Sequence, residues 1–261
     1  MQRAMETAAT GMFAQELKLD VLANNLANVN TTGFKRSRSE FQDLLYETLR
    51  SPGAPAGDGN QIPTGLQVGH GTKAAATLRE FTSGSLKQTG NSLDFAIEGD
   101  GFFQIIKPSG EISYSRDGSM KIDSQGRLVN LDGYLVQPTL IFPAGTREVR
   151  VATDGTVTIV QDGQTQAVEV GKIELAKFAN SAGLEAVGHN LYMPTAASGD
   201  ALIGAPGTEG LGVVSQGFLE MSNVRVVEEM IDLIATQRAY ETNSKVIQAA
   251  DEMLRSTANI R

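Results

Sequence analysis

The sequence predicts an α+β fold in which a helix at each end of the chain flanks an antiparallel, β-rich middle. Apolar residues recur every seven positions at both ends, which is the spacing of helices that bury one stripe against other helices. Between the ends the apolar pattern changes to a period of two and Asp-Gly pairs recur, as expected of short strands joined by tight turns. We therefore expect the terminal helices to pack as a coiled-coil-like layer, with the β-rich domain inserted between them.

The first helix, assigned to residues 1–30, is expected to begin by about residue 4 and to end near Asn28 to Asn30. Gly33 follows, and glycine suits the left-handed turn just past a helix end. Asparagine is a poor helix former, so the four asparagines are expected to form a polar outer face, with hydrogen bonds to a neighbouring chain as the alternative. These asparagines are Asn24, Asn25, Asn28 and Asn30. The expected self-assembly seam comprises Met5, Met12, Leu19, Leu22, Leu26 and Val29.

Residues 31–92 are predicted to form an extended linker that contains an insert at residues 46–63. A short helix is expected around Glu40 to Leu49, and a Pro- and Gly-rich stretch runs from Ser51 to Pro63. Proline and glycine interrupt regular structure, and no apolar period survives across this stretch. A loop of this length inside a compact domain is usually functional or disordered.

The period of two predicts a β-rich outer domain over residues 93–190, followed by a return linker at 191–221. Asp-Gly between alternating runs is a strong hairpin signal, because the tightest turns require positive φ. One such hairpin is expected to join Val157 and Ile159 to Val168 and Val170. The Asp-Gly pairs are Asp100-Gly101, Asp117-Gly118, Asp132-Gly133, Asp154-Gly155 and Asp162-Gly163.

The closing helix is assigned to residues 222–261, with Ser222-Asn223 as its N-terminal cap. Helices placed at the two termini bring the chain ends together, which is the layout of a subunit that joins its neighbours through its ends. The expected self-assembly seam of this helix comprises Val226, Met230, Leu233, Tyr240, Ile247 and Leu254.

Composition excludes several classes of partner and site. The net charge of −8, from 22 basic and 30 acidic residues, argues against a nucleic acid as partner. The chain has no cysteine, so disulfides and thiolate metal sites are excluded. No apolar run approaches the roughly 20 residues of a membrane-spanning helix. The first twenty residues lack the basic start and apolar centre of a cleaved signal peptide.

Catalytic and metal sites are not expected. Asp94, Glu98 and Asp100 are close in sequence, and glycoside hydrolysis needs two carboxylates, but acidic residues at strand ends and turns are usually solvated. The histidines, His70 and His189, lie in Gly-rich surroundings. Two isolated histidines without cysteines make a poor metal site, and no Gly-x-Ser-x-Gly nucleophile elbow occurs. We therefore expect no enzyme activity, no metal and no cofactor.

Several segments of the chain carry signature motifs. Leu22–Lys35 (LANNLANVNTTGFK) resembles the opening signature of the bacterial flagellar rod and hook axial proteins, and Gln237–Glu241 (QRAYE), with Glu229–Met230 before it, is similar to the closing helix of that family. Phe95–Phe103 (FAIEGDGFF) and Ser115–Gly118 (SRDG) are similar to the start of its β domain. The length of the chain and the segment at 46–63 resemble the distal rod members most closely.

The resemblance implies a structural role. Such subunits form a hollow helical tube through the periplasm and peptidoglycan that transmits torque from motor to hook. It implies export through the flagellar type III apparatus without a cleaved signal peptide. The implied partners are copies of the chain itself, proximal rod proteins, the hook protein, the P and L ring proteins and the export apparatus. It also implies that the segment at 46–63 stiffens the rod, and the residues assigned to it are Tyr46, Pro52, Gly53, Pro55 and Pro63.

Two alternatives remain open from the sequence. The chain could be another rod or hook-family axial subunit instead of a distal rod protein. Apart from the resemblance, a β domain carried on helical stalks could also serve as a secreted adhesin or binding module. A monomer that binds a ligand would favour the adhesin, whereas slow end-to-end polymerisation would favour an axial subunit.

Overall fold

The computed structural model describes residues 2–53, 63–162 and 166–259 of the 261-residue chain. Helix α1 spans Gln2–Ala27 and helix α2 spans Val226–Asn259, and the chain between them is rich in antiparallel strands. The predicted α+β class, with one helix at each end, is therefore confirmed. Neither helix, over the described residues, is long and apolar enough to cross a membrane.

The chain forms two compact units. The first unit contains Met1–Leu26, Ser37–Leu78 and Arg225–Arg261, and thus both helices. The second unit contains Ala27–Arg36 and Arg79–Val224, and thus most of the strands. The first unit is built from three separated segments of the chain, so its helices can pair only after the chain has returned from the second unit.

Both helices end close to the predicted positions. Helix α1 ends at Ala27, and Thr31 donates its backbone N–H to the Asn28 carbonyl in the turn that follows. Gly33 has φ of +67°, a left-handed conformation that glycine adopts readily. It lies six residues past Ala27 and donates its N–H to the Glu220 carbonyl, so it does not cap α1 as predicted. Helix α2 begins at Val226, a few residues after the predicted cap. Glu228 and Glu229 in its first turn interact favourably with the positive end of the helix dipole.

The first unit has four strands in its described residues, which pair as β1 with β4 and as β2 with β3. These strands are β1 Ser37–Asp43, β2 Tyr46–Arg50, β3 Leu66–Gly69 and β4 Thr72–Arg79. The short helix predicted around Glu40 to Leu49 is wrong, because β1 and β2 occupy this stretch. Exposure alternates along β1 with a period of two. Pairing with strands distant in sequence therefore outweighed the local preference of this stretch for a helix.

The second unit is built from antiparallel sheets. Its strands are β5 Leu86–Gln88, β6 Phe95–Glu98, β7 Phe102–Ile106, β8 Ile112–Ser115, β9 Lys121–Ile122, β10 Leu128–Val129, β11 Leu135–Gln137, β12 Thr146–Val151, β13 Thr156–Gln161, β14 Val168–Lys172, β15 Leu175–Lys177, β16 Glu185–Gly188, β17 Leu191–Met193, β18 Leu202–Gly204, β19 Val213–Gln216 and β20 Phe218–Glu220. The largest sheet has the order β16-β17-β8-β7-β11-β10-β9, and β15 joins it by pairing with both β7 and β18. Strands β12, β13 and β14 form a separate sheet, β19 pairs with β6, and β20 pairs with β5.

Strand β7 is the centre of the second unit. One of its edges pairs with β8, and the other is shared between β15 and β11. Successive side chains of a strand point to opposite faces. Phe103 and Ile105 accordingly join the main apolar core, while Phe102 joins a second, aromatic cluster with Tyr114 and Phe178. Apolar side chains therefore cover β7 on both faces.

The Asp-Gly pairs mark hairpins at some positions and not at others. Asp132-Gly133 joins the paired strands β10 and β11, and Asp154-Gly155 joins β12 and β13, so these predictions are confirmed. The predicted hairpin of β13 and β14 is also confirmed, since Ile159 lies opposite Val168, although Gly163 in its turn lies outside the described residues.

Asp100-Gly101 and Asp117-Gly118 do not make hairpins, because the strands on either side of each pair have other partners. A Cβ on Gly118 would collide with the Phe95 carbonyl oxygen. This glycine is therefore required by a close approach of two backbones and not by a tight turn.

Candidate self-assembly surface

The two terminal helices meet through polar and small residues. Asn25 donates a hydrogen bond from its side-chain amide to Glu229 Oε2 at 3.2 Å. At a second point, a Cβ added to Gly11 would lie 2.9 Å from the side-chain amide nitrogen of Asn243. The contact points lie fourteen residues apart on each helix, in opposite directions along the chain. The helices therefore run antiparallel.

The face that α2 turns towards α1 has a strict seven-residue repeat. Glu229, Thr236 and Ala250 are buried to 1–2% exposure, and Asn243 is half-buried. These four residues are polar or small. The larger apolar residues of α2 must lie elsewhere on the helix.

Four of these apolar residues form an exposed face in the first turns of α2. Val227 is 71% exposed, Met230 52%, Ile231 62% and Ile234 48%. Their spacing of three, four and seven positions places them on one side of the helix. A contiguous exposed apolar patch of this kind typically marks an interaction site. We call these four residues the outward apolar face.

The seam residues predicted on the first helix are mostly half-buried. Leu22 is buried, at 6% exposure, whereas Phe13, which the repeat did not include, is 66% exposed. The half-buried members are Met5, Met12, Leu19, Leu26 and Val29. Val29 lies beyond the end of α1, in the turn that begins the second unit.

The seam residues predicted on the second helix do not share one environment. Leu233, Ile247 and Leu254 are half-buried, while Val226 and Tyr240 are each 40% exposed. Met230 lies on the outward apolar face. The seven-residue repeat did not include Val227, Ile231 and Ile234. Their spacing of four and seven is nevertheless that of one face of an amphipathic helix, so the sequence contained a signal for this face.

One expectation for the asparagines is wrong. Asn25 was expected on a polar outer face, but its side chain is 1% exposed. Besides Glu229, it contacts the backbone of Ser37, so it lies where α1, α2 and β1 meet. A buried amide needs hydrogen-bond partners, and here those partners come from segments far along the chain.

The predicted stiffening segment begins as a strand. Tyr46 is the first residue of β2, Pro52 and Gly53 form the turn after it, and Pro63 lies before β3. Pro55 lies outside the described residues. The hairpin of β2 and β3 carries exposed apolar side chains: Leu45 beside it is 85% exposed, Tyr46 55%, and Leu49 and Leu66 53% each.

Two contacts attach this part of the first unit to α1. Arg3 forms an ion pair with Glu47 of β2, with 2.5 Å between Nη2 and Oε2. The Thr72 N–H donates to Thr10 Oγ1 at 3.3 Å. Gly71, at φ of +105°, lies against α1 so closely that a Cβ there would collide with Thr10. The exposed hairpin therefore belongs to the same compact unit as the helices.

The second unit contains a buried charged cluster that sequence reasoning missed. Lys35 Nζ lies 2.6 Å from Glu220 Oε1 and also donates to the Thr82 carbonyl at 2.7 Å. Arg116 Nη1 lies 3.6 Å from the other carboxylate oxygen of Glu220, and its Nη2 donates to the Gly99 carbonyl at 2.6 Å. The side chains of the three charged residues are 0–2% exposed.

Burial shifts the titration of both cations in this cluster. It lowers the pKa of the Lys35 ammonium, and Glu220 partly opposes that shift. Burial likewise lowers the pKa of the Arg116 guanidinium, again opposed by Glu220. The Glu220 carboxylate is therefore the group that makes two buried positive charges tolerable.

The two sequence signatures near this cluster pack directly on each other. Thr32 donates to Asp117 Oδ1 at 3.0 Å, and a Cβ on Gly33 would lie 2.6 Å from the Asp117 backbone nitrogen. Lys35 and Arg116 belong to the same two signatures. The presence of both motifs in one chain was the signal that could have indicated this contact.

Three of the carboxylates and histidines considered above pair with nearby polar side chains. Asp94 accepts a hydrogen bond from Asn91, and Asp100 pairs with Lys177 at 3.1 Å. His189 lies 3.3 Å from Asp132. Among the described residues, no group of three or more His, Asp or Glu side chains is placed to hold a metal ion.

Three protein families match separate regions of the chain. The family described as flagella basal body rod protein matches residues 5–35. The flagellar hook protein FlgE/F/G D1 domain matches residues 96–159, and the flagellar basal body rod FlgEFG protein C-terminal region matches residues 215–260. The three matched regions include most of α1, all of α2 and the centre of the largest sheet.

Relatives match along the full length. The flagellar basal-body rod protein FlgG of Borreliella burgdorferi is 49% identical over 263 residues, which cover 100% of this chain and 99% of the relative. FlgG of Caulobacter vibrioides is 48% identical, with 99% of each chain covered. FlgG of Buchnera aphidicola subsp. Baizongia pistaciae is 46% identical, with 96% of each chain covered.

Proposed function

Because the chain belongs to the flagellar basal-body rod protein family, we propose that it polymerises through its terminal helices into the distal rod, a hollow helical drive shaft that transmits torque from motor to hook. Relatives that are 46–49% identical along nearly the whole chain are FlgG proteins, so the chain is a structural subunit of the flagellar rod and not an enzyme. Its place of action is the flagellar basal body.

The outward apolar face of α2 is the observation that supports polymerisation. Burying one side chain such as Val or Ile contributes about 1.5–3 kcal/mol relative to leaving it exposed. The polar contact between α1 and α2 leaves this face free to pack on another copy. A face on one copy that packs on a different surface of the next makes a heterologous contact, which generates an open helical filament.

The first test introduces charge on that face. Val227→Asp combined with Ile231→Asp should leave the strands of the second unit folded, because neither residue belongs to that unit. A carboxylate at a buried contact must be desolvated without a partner, so cells that carry this variant should lack rods and motility. Electron microscopy of isolated basal bodies measures the outcome.

The control places the same charges at exposed polar positions of the same helix, Gln237→Asp with Gln248→Asp. These cells should build rods and swim. Complete rods in cells that carry the Val227 and Ile231 changes would contradict the assignment of the outward apolar face to assembly.

We also propose that the segment at 46–63 stiffens the rod. Its support is the hairpin of β2 and β3, whose exposed Tyr46, Leu49 and Leu66 could pack on a neighbouring copy. Deleting residues 51–61 leaves four residues between Arg50 and Leu66, which are paired across the hairpin. The variant should therefore keep the hairpin and still assemble, but it should give rods that bend or grow abnormally. Straight rods of normal length would contradict this role.

The remaining assignments rest on family membership. We propose that the subunit contacts proximal rod proteins below it, the hook protein above it and the P and L rings around it. We further propose that it spans the periplasm and is exported by the flagellar apparatus without a cleaved signal peptide. Site-specific photo-cross-linking from exposed positions of the second unit, such as Leu202, in intact basal bodies tests the ring contacts.

Two alternatives lead to different outcomes in the same cells. Another rod or hook-family axial subunit would also lose assembly with the Val227 and Ile231 changes, but antibody labelling would place it outside the distal rod segment. A secreted β-domain adhesin would leave basal bodies complete when its gene is deleted. Labelling of the distal segment, together with its loss on deletion, supports the proposed function.

A further inference from the structure

Asn25 makes three hydrogen bonds to two other elements from a single buried side chain. Its Nδ2 donates to the Ser37 carbonyl at 2.8 Å, and its Oδ1 accepts from the Ser37 N–H at 2.9 Å. The same Nδ2 donates to Glu229 Oε2 at 3.2 Å. Asn25 belongs to α1, Ser37 begins β1 and Glu229 lies in the first turns of α2. The amide thus holds the start of β1 by both of its backbone groups while it bonds to α2.

The contacts of this junction continue along the helix pair at heptad spacing. Fourteen residues away on each helix, Gly11 lies against the amide of Asn243. Halfway between the two contacts are Lys18, which is half-buried, and Thr236, which is 1% exposed. These contacts form a polar stripe between the two helices. In one alignment only, the buried amide of Asn25 meets the Glu229 carboxylate and Asn243 meets Gly11, which has no side chain.

A polar stripe of this kind contributes little to stability but strongly favours one alignment. If α2 shifted by one turn along α1, the hydrogen bond between the Asn25 amide and the Glu229 carboxylate would be lost while both groups stayed buried. An apolar stripe tolerates such a slip much better, because one apolar contact replaces another. A single polar residue in the seam of a coiled coil is known to specify register in this way.

We propose that Asn25 and Glu229, supported by Gly11 and Asn243, fix the antiparallel register of the two terminal helices. They act as positioning residues for assembly and not as part of the contact between copies. Fixing the register places the outward apolar face of α2 in one orientation on every copy. This last step rests on the proposed function, whereas the register itself is a property of the single chain.

Cysteine cross-linking measures the register directly, because the chain has no cysteine of its own. The native alignment predicts a cross-link between Lys18→Cys and Thr236→Cys. Pairs displaced by one turn, Lys18→Cys with Asp232→Cys or with Ala239→Cys, should react less, since one helical turn is about 5.4 Å and disulfides tolerate only a narrow distance. We expect the native pair to exceed each displaced pair about tenfold under mild oxidation, given the hydrogen bonds lost on slipping.

The variant Asn25→Leu with Glu229→Leu replaces the polar pair by apolar residues that favour helix. Its helix content by circular dichroism should persist, but the preference for the native pair should fall to about twofold or less, because an apolar seam specifies register poorly. The matched control is Glu16→Leu with Gln237→Leu, one carboxylate and one amide at exposed positions of the two helices. It should keep the preference. Glu229→Gln retains an acceptor for Asn25 and should keep it too.

The cross-linking is carried out on the full chain in solution, so it does not depend on rod formation. An unchanged preference in the Leu–Leu variant, or equal yields from all three pairs in the unaltered chain, would overturn the inference. Loss of the preference in solution together with normal swimming would confirm the register role and contradict its link to assembly. Loss of both the preference and basal-body rods would support the inference in full.

Discussion

The buried charges around Glu220 allow a quantitative prediction. Glu220→Gln preserves the shape and one acceptor oxygen of the side chain but removes its negative charge. Lys35 Nζ, at 2.6 Å, and Arg116 Nη1, at 3.6 Å, would then be two buried cations without the carboxylate that pairs with both. Removing one partner of a buried ion pair typically costs about 3–5 kcal/mol, because the remaining charge stays desolvated.

The assay is equilibrium unfolding of the full chain in urea, followed by near-ultraviolet circular dichroism. The chain has no tryptophan, so its five tyrosines dominate this signal. The variant should lose about 3–5 kcal/mol of unfolding free energy for the second unit. The control, Glu185→Gln on exposed strand β16, should change that free energy by less than about 0.5 kcal/mol.

A double variant separates charge from packing. Lys35→Met with Glu220→Leu removes one cation together with the anion, and apolar replacement of a buried pair is often neutral or stabilising. The double variant should therefore be more stable than Glu220→Gln. In both variants Arg116 stays buried and keeps its hydrogen bonds to the carbonyls of Ile97 and Gly99. A loss below about 1 kcal/mol in Glu220→Gln would refute the view that this carboxylate neutralises the cluster.

Three further predictions concern the second unit. Leu175→Ala, at a fully buried position, should cost about 2–5 kcal/mol in urea unfolding, whereas Leu202→Ala, at 64% exposure, should cost less than about 0.5 kcal/mol. Burial raises the pKa of the Tyr192 phenol above its usual 10.0. The neutral phenol therefore contributes its full stabilisation below pH 10, and this contribution is lost as pH rises through the raised pKa. Ultraviolet titration of the unaltered chain against Tyr192→Phe checks this. Hydrogen bonds from the backbone and side chain of Arg127 lower the pKa of the Asp123 carboxyl below 3.8. Its contribution is present above that value and is lost as pH falls through the lowered pKa, so Asp123→Asn should flatten the acid side of the stability profile measured by thermal melting.

Much of the fold was predictable because its signals are local. A seven-residue repeat identifies a helix from the spacing of its own residues, and the two helices were found within a few residues of their ends. Alternation with Asp-Gly pairs likewise predicted the hairpins of β10 with β11 and of β12 with β13. The same signal failed at Gly118. A side chain there would collide with the backbone of Phe95, which lies in another strand, so glycine is required by a tertiary contact and not by a turn.

The sequence by itself determined the α+β class, the terminal helices and the family of this chain, because these depend on spacing and on short motifs. The tertiary structure decided which positions of the repeat face inward. Glu229 and Thr236 are buried in the first unit while Val227 and Ile231 are exposed. The side of a helix that is covered depends on where its partner lies, and that partner is about two hundred residues away: Asn25 and Glu229 are separated by 204 positions. No local pattern encodes such a pairing, because it forms only when the two ends of the chain meet.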